Sequence, residues 1–207
     1  MKLHRADRQP DWELVSSEQR SNLQRVAAQT SGAVTPGNVL SFVGLILVFV
    51  GLVAVDDNHL WHGLIIIGVG RLFDIVDGFA AEKTGTKSPV GEGVDAAFDK
   101  IAALASLIIF AVKHIIPWPF ALIIGLENLF TSICALVAKH HDKPIHPVAS
   151  GKIGGAVEWG AFLAFILGAA IHTHASHTLT VTGYVLAIVA IGLNAVATVR
   201  YAQLLSD

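Results

Sequence analysis

Residues Asp74–Asp99 read DIVDGFAAEKTGTKSPVGEGVDAAFD. Four aspartates stand there in two pairs, Asp74/Asp77 and Asp95/Asp99, with long apolar stretches on either side. On helical arms, the i,i+3 spacing of the first pair and the i,i+4 spacing of the second each put both carboxylates on one face. Like charges at such spacings repel, and near a membrane a cluster of this kind asks for a cation. The rest of the chain reads as a scaffold that brings the two arms together.

That scaffold is apolar. Of 207 residues, 53% are hydrophobic and 14% charged, against roughly 25% charged in an average soluble domain; the mean hydropathy is +0.61. Six apolar segments follow in order, at about 38–55, 59–82, 93–114, 118–138, 151–171 and 178–203. Each is near the ~20 residues a helix needs to cross the hydrocarbon of a bilayer. Thr35-Pro36 predicts the start of the first, with Thr35 as N-cap and Pro36 at the first helical position. The expected fold is an all-α integral membrane protein, a bundle of six transmembrane helices spanning residues 37–207. A short cytoplasmic segment, 1–36, precedes it and is either amphipathic or disordered, with Trp12, Val15, Leu23 and Val26 as its sparse apolar points. No cleavable signal peptide is expected, because the first apolar run begins only at Val39.

Charge sets the orientation. With the N-terminus in the cytoplasm, only Lys113 of the 14 lysines and arginines falls on the outer side. This N-in, C-in arrangement puts the aspartate stretch at the cytoplasmic interface of a multi-pass protein of the cell or inner membrane. The net charge of −2 and the lack of a basic tract exclude nucleic acid as a partner. The single cysteine, Cys134, excludes an internal disulfide and reads as a packing residue.

The aspartates carry the chemistry. Hard divalent cations take oxygen ligands, so Asp74 and Asp77 from one arm with Asp95 from the next suit one or two Mg²⁺ (or Mn²⁺) ions. Ions there neutralise a diphosphate and open its phosphorus to attack. Asp99, one turn past Asp95, suits a general base for an alcohol. Gly78 costs a helix interior about 1 kcal/mol against Ala, which points to close approach by a ligand or a neighbouring helix. The stretch from Lys83 to Gly93 reads as a polar loop, with Lys83 and Lys87 available to phosphate.

In register, these residues resemble the CDP-alcohol phosphotransferase (CDP-alcohol phosphatidyltransferase) family, whose motif is D-x2-D-G-x2-A-R-x8-G-x3-D-x3-D. Asp74, Asp77, Gly78, Ala81, Gly91, Asp95 and Asp99 fill seven of its eight fixed positions with every gap kept; Glu82 stands where the family has Arg. The resemblance implies a phospholipid-biosynthesis transferase that moves a phosphatidyl group from CDP-diacylglycerol to a polar alcohol and releases CMP. It implies that Asp74, Asp77, Asp95 and Asp99 form the metal site and that Asp99 is also the catalytic base. Asp74, Asp77, Gly78, Ala81, Gly91 and Asp95 would line the CDP site. It also implies a homodimer, with the donor's acyl chains entering from the membrane lipids.

Weaker likenesses address the acceptor. Phe98-Asp99-Lys100 and Ser150-Gly151-Lys152-Ile153 are similar to segments of phosphatidylglycerophosphate synthases. They favour glycerol 3-phosphate, with Lys139, Lys143 and Lys152 on its phosphate and His140 or His141 as helpers. A phosphatidylinositol phosphate synthase-like acceptor is the alternative within the family. From another class, a cation transporter could use the aspartates as its ion site, but such sites sit near the midplane on broken helices, often in repeats, and no repeat is visible here. The misfit at Glu82 raises a third reading, a catalytically weak member. Elsewhere, Glu127 and Glu158 inside apolar segments suit either function or an interhelical hydrogen bond with Asn128 or Asn194. His172, His174 and His177 read as a solvated outer loop, and His146 joins the inner histidines.

Overall fold

The computed structural model describes residues 9–140, 149–171 and 173–206. Among these every regular element is helical. A 3-10 turn (Asp11–Leu14) and α1 (Asn22–Gln29) precede six long helices: α2 (Pro36–Asp56), α3 (Leu60–Thr84), α4 (Pro89–Val112), α5 (Trp118–His140), α6 (Ala149–Ala170) and α7 (His174–Ser206). They coincide with the six apolar segments. Three of them, α2, α6 and α7 through Gln203, are long and apolar enough to cross a membrane. In α3 and α4 the aspartates themselves interrupt the apolar run. On α2 apolar side chains face both ways: Val48 and Leu52 are buried while Phe49, Val50 and Val53 are exposed. A surface of that kind is solvated by lipid rather than water. By its internal contacts the chain forms two units, Met1–Val53 with Ile65–Ala102, and Ala54–Leu64 with Ala103–Asp207.

The first unit is set by caps and small residues. Thr35 Oγ1 accepts from the Asn38 amide at 3.1 Å, so α2 starts at the Thr-Pro pair as its sequence predicts. Further along, α2 meets α3 where Gly44 faces Gly70: a Cβ on either would lie 2.8 Å from the other's carbonyl oxygen. At its far end α3 closes with Gly85 at φ +61, while the Gly85 and Thr86 amides return to the Glu82 and Ala81 carbonyls. This pairing ends a helix and needs a left-handed residue, which glycine supplies without strain. Ser88 Oγ then accepts from the Gly91 amide at 3.0 Å, and Pro89 opens α4. The polar loop expected from Lys83 to Gly93 is therefore a four-residue turn, 85–88. Its polarity belongs to the helix ends, and the Ser-Pro cap was the overlooked signal.

The N-terminal segment is folded from Asp11 onward. Ser21 and Gln24 form a reciprocal capping box on α1. Trp12 is 4% exposed, and a Cβ on Gly32 would meet both its indole and Ser88. The Asp11 amide donates to Lys87 O, the Lys87 amide donates to Asp11 Oδ2, and Gln24 Nε2 donates to Gly85 O. The segment thus clasps the turn that joins the two aspartate-bearing arms. Trp12→Ala is expected to release it, seen as faster hydrogen exchange confined to residues 11–32 and 85–88.

The second unit carries a buried polar network. Asn128 Nδ2 on α5 donates to Glu158 Oε1 on α6 at 2.8 Å. Asn194 Nδ2 on α7 reaches Glu158 Oε2 at 3.4 Å and Glu127 Oε2 at 3.3 Å. Thr131 donates to Glu127 Oε1 and shares a hydrogen bond with Thr198. Of the two readings for these glutamates, the interhelical hydrogen bond is the one seen. Edge-to-face ring pairs pack in the same unit, including Phe110 on Phe162 and Phe165 on Tyr184.

Candidate active site

Two adjacent helices of the first unit bring the acidic residues together. Asp74 and Asp77 lie one turn apart on α3, and Asp95 lies in the second turn of α4. One carboxylate oxygen from each of Asp74, Asp77 and Asp95 falls within 4.8 Å of the other two. Around a Mg²⁺ with bonds of 2.0–2.1 Å, ligand oxygens stand roughly 2.9–4.1 Å apart. Small side-chain rotations close that gap.

Each carboxylate is placed by a different device. Asp77 is 5% exposed and accepts a hydrogen bond from Ser41 Oγ on α2, itself buried. The same hydroxyl lies 3.1 Å from the Gly37 carbonyl one turn back, which fixes its rotamer. A Cβ on Gly37 would meet Ala81 Cβ and the Asp77 carbonyl at 3.1 Å, so α2 sits hard against this turn of α3. Asp74 pairs with Arg71, whose Nη2 lies 2.6 Å from Asp74 Oδ2 and 3.0 Å from Asp99 Oδ1. Asp99 is thus near the cluster but outside the three-carboxylate group. Asp95 Oδ1 is buried with no hydrogen-bond partner. An unmatched buried acceptor costs stability, and beside two further carboxylates it fits a divalent cation as the missing partner. The residues present therefore suit a hard metal ion.

The motif's small residues divide by role. A Cβ on Gly78 would meet nothing within 4 Å, so among the described residues no neighbouring helix accounts for that glycine and the space beside it is open. Gly91 is close-packed instead: a Cβ there would lie 3.1 Å from Asn38 Oδ1 and 3.3 Å from Ser88 Oγ. Asn38 in turn ties α2 to the chain before it, donating to the carbonyls of Gly32 and Ala33 at 3.0 Å. Glu82 and Lys83 are exposed at the end of α3, and Lys83 lies over the Phe79 ring. Lys87 pairs with Glu92 at 3.5 Å on the surface.

The expected acceptor lysines belong to the second unit. Lys152 is exposed in the first turn of α6, and Lys139 lies in the last turn of α5. Lys143, His141, His146 and His172 lie outside the described residues. Ser41 and Arg71 were missed as site residues. Arg71 announces itself by standing three residues before Asp74, whereas nothing in the sequence around Ser41 marks it. Ser41→Ala is expected to weaken divalent-ion affinity roughly 10–100-fold, the range for a lost outer-shell partner, with Ser41→Thr restoring most of it. Mn²⁺ titration of both variants measures this.

Comparison with known proteins agrees with the geometry. The model of the family described as CDP-alcohol phosphatidyltransferase matches residues 34–196, from the start of α2 into α7. No curated protein matches the chain at a significant level. Members of the family are generally dependent on divalent metal, and the carboxylate cluster is present here. With the matched span covering the aspartate motif and both helices that carry it, the chain belongs to the CDP-alcohol phosphatidyltransferase family, membrane transferases of substituted phosphate groups that use CDP-alcohol donors and alcohol acceptors in phospholipid synthesis.

Proposed function

We propose that the protein transfers the phosphatidyl group of CDP-diacylglycerol to glycerol 3-phosphate, giving phosphatidylglycerophosphate and CMP. The observation that carries this reading is the convergence of Asp74, Asp77 and Asp95 within 4.8 Å, at positions matching the family motif. These three residues would hold Mg²⁺ or Mn²⁺, which when bound neutralises the diphosphate and polarises it toward attack. Ser41 orients Asp77, and Arg71 fixes Asp74 and Asp99 relative to one another. Asp99 is assigned as the base that takes the acceptor's hydroxyl proton. Open space beside Gly78 supports nucleotide approach along that face of α3, with Ala81 next to it. The close packing of Gly91 supports an indirect part in the CDP site, through the seating of α4 on Asn38.

The acceptor phosphate is assigned to Lys139, Lys143 and Lys152. All six long helices are taken as spans of one membrane domain, residues 37–207, with both termini and the site on the cytoplasmic side and residues 1–36 as an extension. This follows the distribution of Lys and Arg. A homodimer completes the assignment.

The test is CMP release from CDP-diacylglycerol by purified protein with Mg²⁺ and separate acceptors. Product with glycerol 3-phosphate alone is expected. Product confined to inositol phosphate overturns the acceptor, and no release with any acceptor overturns the enzyme assignment. Glu82→Arg is expected to leave turnover equal or higher in the same assay. Position 82 is exposed, and among the described residues no side-chain hydrogen bond of Glu82 would be broken by the change.

A further inference from the structure

The second unit holds a cavity lined by none of the residues assigned to the transfer reaction. It measures about 400 Å³ and lies where the turn after α4 meets α6 and the start of α7. That is the small end of the range for ligand sites, with room for one headgroup. Ile116 and Phe165, both buried, form its apolar wall, and His114, Ser176, Thr180 and Tyr184 supply its polar side. Among the described lining residues there is no lysine, arginine or carboxylate.

Two of the four polar groups are locked and two are free. Ser176 Oγ donates to Gly168 O at 2.6 Å and Thr180 Oγ1 donates to Ser176 O at 2.9 Å, so each keeps lone pairs for a donor in the cavity. Tyr184 packs edge-on against Phe120 and Phe165, and among the described residues its hydroxyl has no hydrogen-bond partner. His114 sits at φ +55, with its own amide and that of Ile115 returning to the Ala111 and Phe110 carbonyls. Gly85 ends α3 by the same pairing, and only glycine makes it without strain. An imidazole kept in that strained position points to a use for it.

This lining selects against charge. An anion would face the Ser176 and Thr180 lone pairs with no lysine or arginine to offset them, and a cation would find no carboxylate. Hydroxyl groups both donate and accept, so they match all four side chains. Beside Pro117 in the cavity wall, Trp118 is 69% exposed, as tryptophans are at the headgroup level of a bilayer. We propose that the cavity binds an uncharged polyhydroxyl group, carried as the headgroup of a membrane lipid or free in solution. Its hydroxyls meet Ser176, Thr180, Tyr184 and His114. The site is separate from the aspartate cluster and does not rest on the proposed reaction.

The test is native mass spectrometry of the full chain released from an amine-oxide detergent, whose headgroup carries no polyol. Monooleoylglycerol, free glycerol and dioleoyl phosphatidic acid are offered separately at one concentration. An adduct with monooleoylglycerol is expected, falling roughly three- to tenfold in Tyr184→Phe for the loss of one hydrogen bond. An equal adduct with free glycerol assigns the free polyol as ligand, and a weaker one assigns the lipid headgroup. His114→Gly is expected to weaken the adduct as well while its Tm stays equal or rises, because glycine relieves the backbone. Asp95→Asn is expected to bind as the wild type does. No adduct with either polyol, an undiminished adduct in Tyr184→Phe, loss of the adduct in Asp95→Asn, or a stronger adduct with phosphatidic acid each overturns the proposal. Should Tyr184→Phe fail to fold, His114→Gly decides in its place.

Discussion

Asp95→Asn is expected to lower CMP release roughly a hundred- to a thousand-fold while leaving the protein folded. The variant keeps the size of the side chain and removes one negative charge from the three that converge. A bound ion supplies several kcal/mol of charge stabilisation, and each 1.4 kcal/mol is a factor of ten in rate. Fold is expected to be spared because the amide keeps the side chain's size, and the buried Oδ1 makes no hydrogen bond in the protein. A thermal-shift assay with and without Mn²⁺ separates the two effects. The wild type should be stabilised by the ion, and the variant should not. Turnover within tenfold of wild type contradicts the metal role of Asp95.

Gly70→Val is expected to cost about 3 kcal/mol and to damage the site as well. Its first added carbon would stand 2.8 Å from Gly44 O, 3.1 Å from Val48 Cγ2 and 3.2 Å from Leu47 Cβ. A backbone oxygen cannot rotate away, so α2 must separate from α3. For a chain of this size, 3 kcal/mol corresponds to a fall in Tm of roughly 6–12 °C. The displacement also draws Ser41 from Asp77, two turns of α3 further on, so Mn²⁺ affinity falls in parallel. Gly68→Ala is the control on the same helix. A Cβ there meets nothing within 4 Å, and the higher helix propensity of Ala makes a neutral or stabilising outcome the expected one. Equal Tm values for the two variants would refute the close-packing account.

Much of this was legible from residues alone. The apolar segments located all six long helices because each holds roughly 20 predominantly apolar residues. The Thr35-Pro36 pair located the start of α2. Helix periodicity makes Asp74 and Asp77 co-facial on α3, and the turn at 85–88 folds α4 back so that Asp95 joins them. Other features depend on contacts between elements distant in sequence. Ser41 meets Asp77 across 36 positions, and Asp11 meets Lys87 across 76. No local pattern encodes those pairings. Arg71 entered the sequence reading only as one of the lysines and arginines on the inner side, whereas its guanidinium reaches past Asp74 to Asp99. The turn at 85–88 was overestimated because polarity was taken as a sign of loop, although helix ends are polar too.

The Glu158 network bears on how the chain enters the bilayer. An acidic residue at the centre of an inserting helix costs about 3 kcal/mol on insertion scales. In α6 that residue is Glu158, which accepts hydrogen bonds from both neighbours in the chain: from Asn128 on α5, already made, and from Asn194 on α7, still to come. During synthesis α6 therefore meets Asn128 on arrival and Asn194 only after α7 follows. The last three helices are bound to a shared order of assembly, and a chain stopped before Asn194 would hold a hydrophobic helix whose acid lacks its contact to α7.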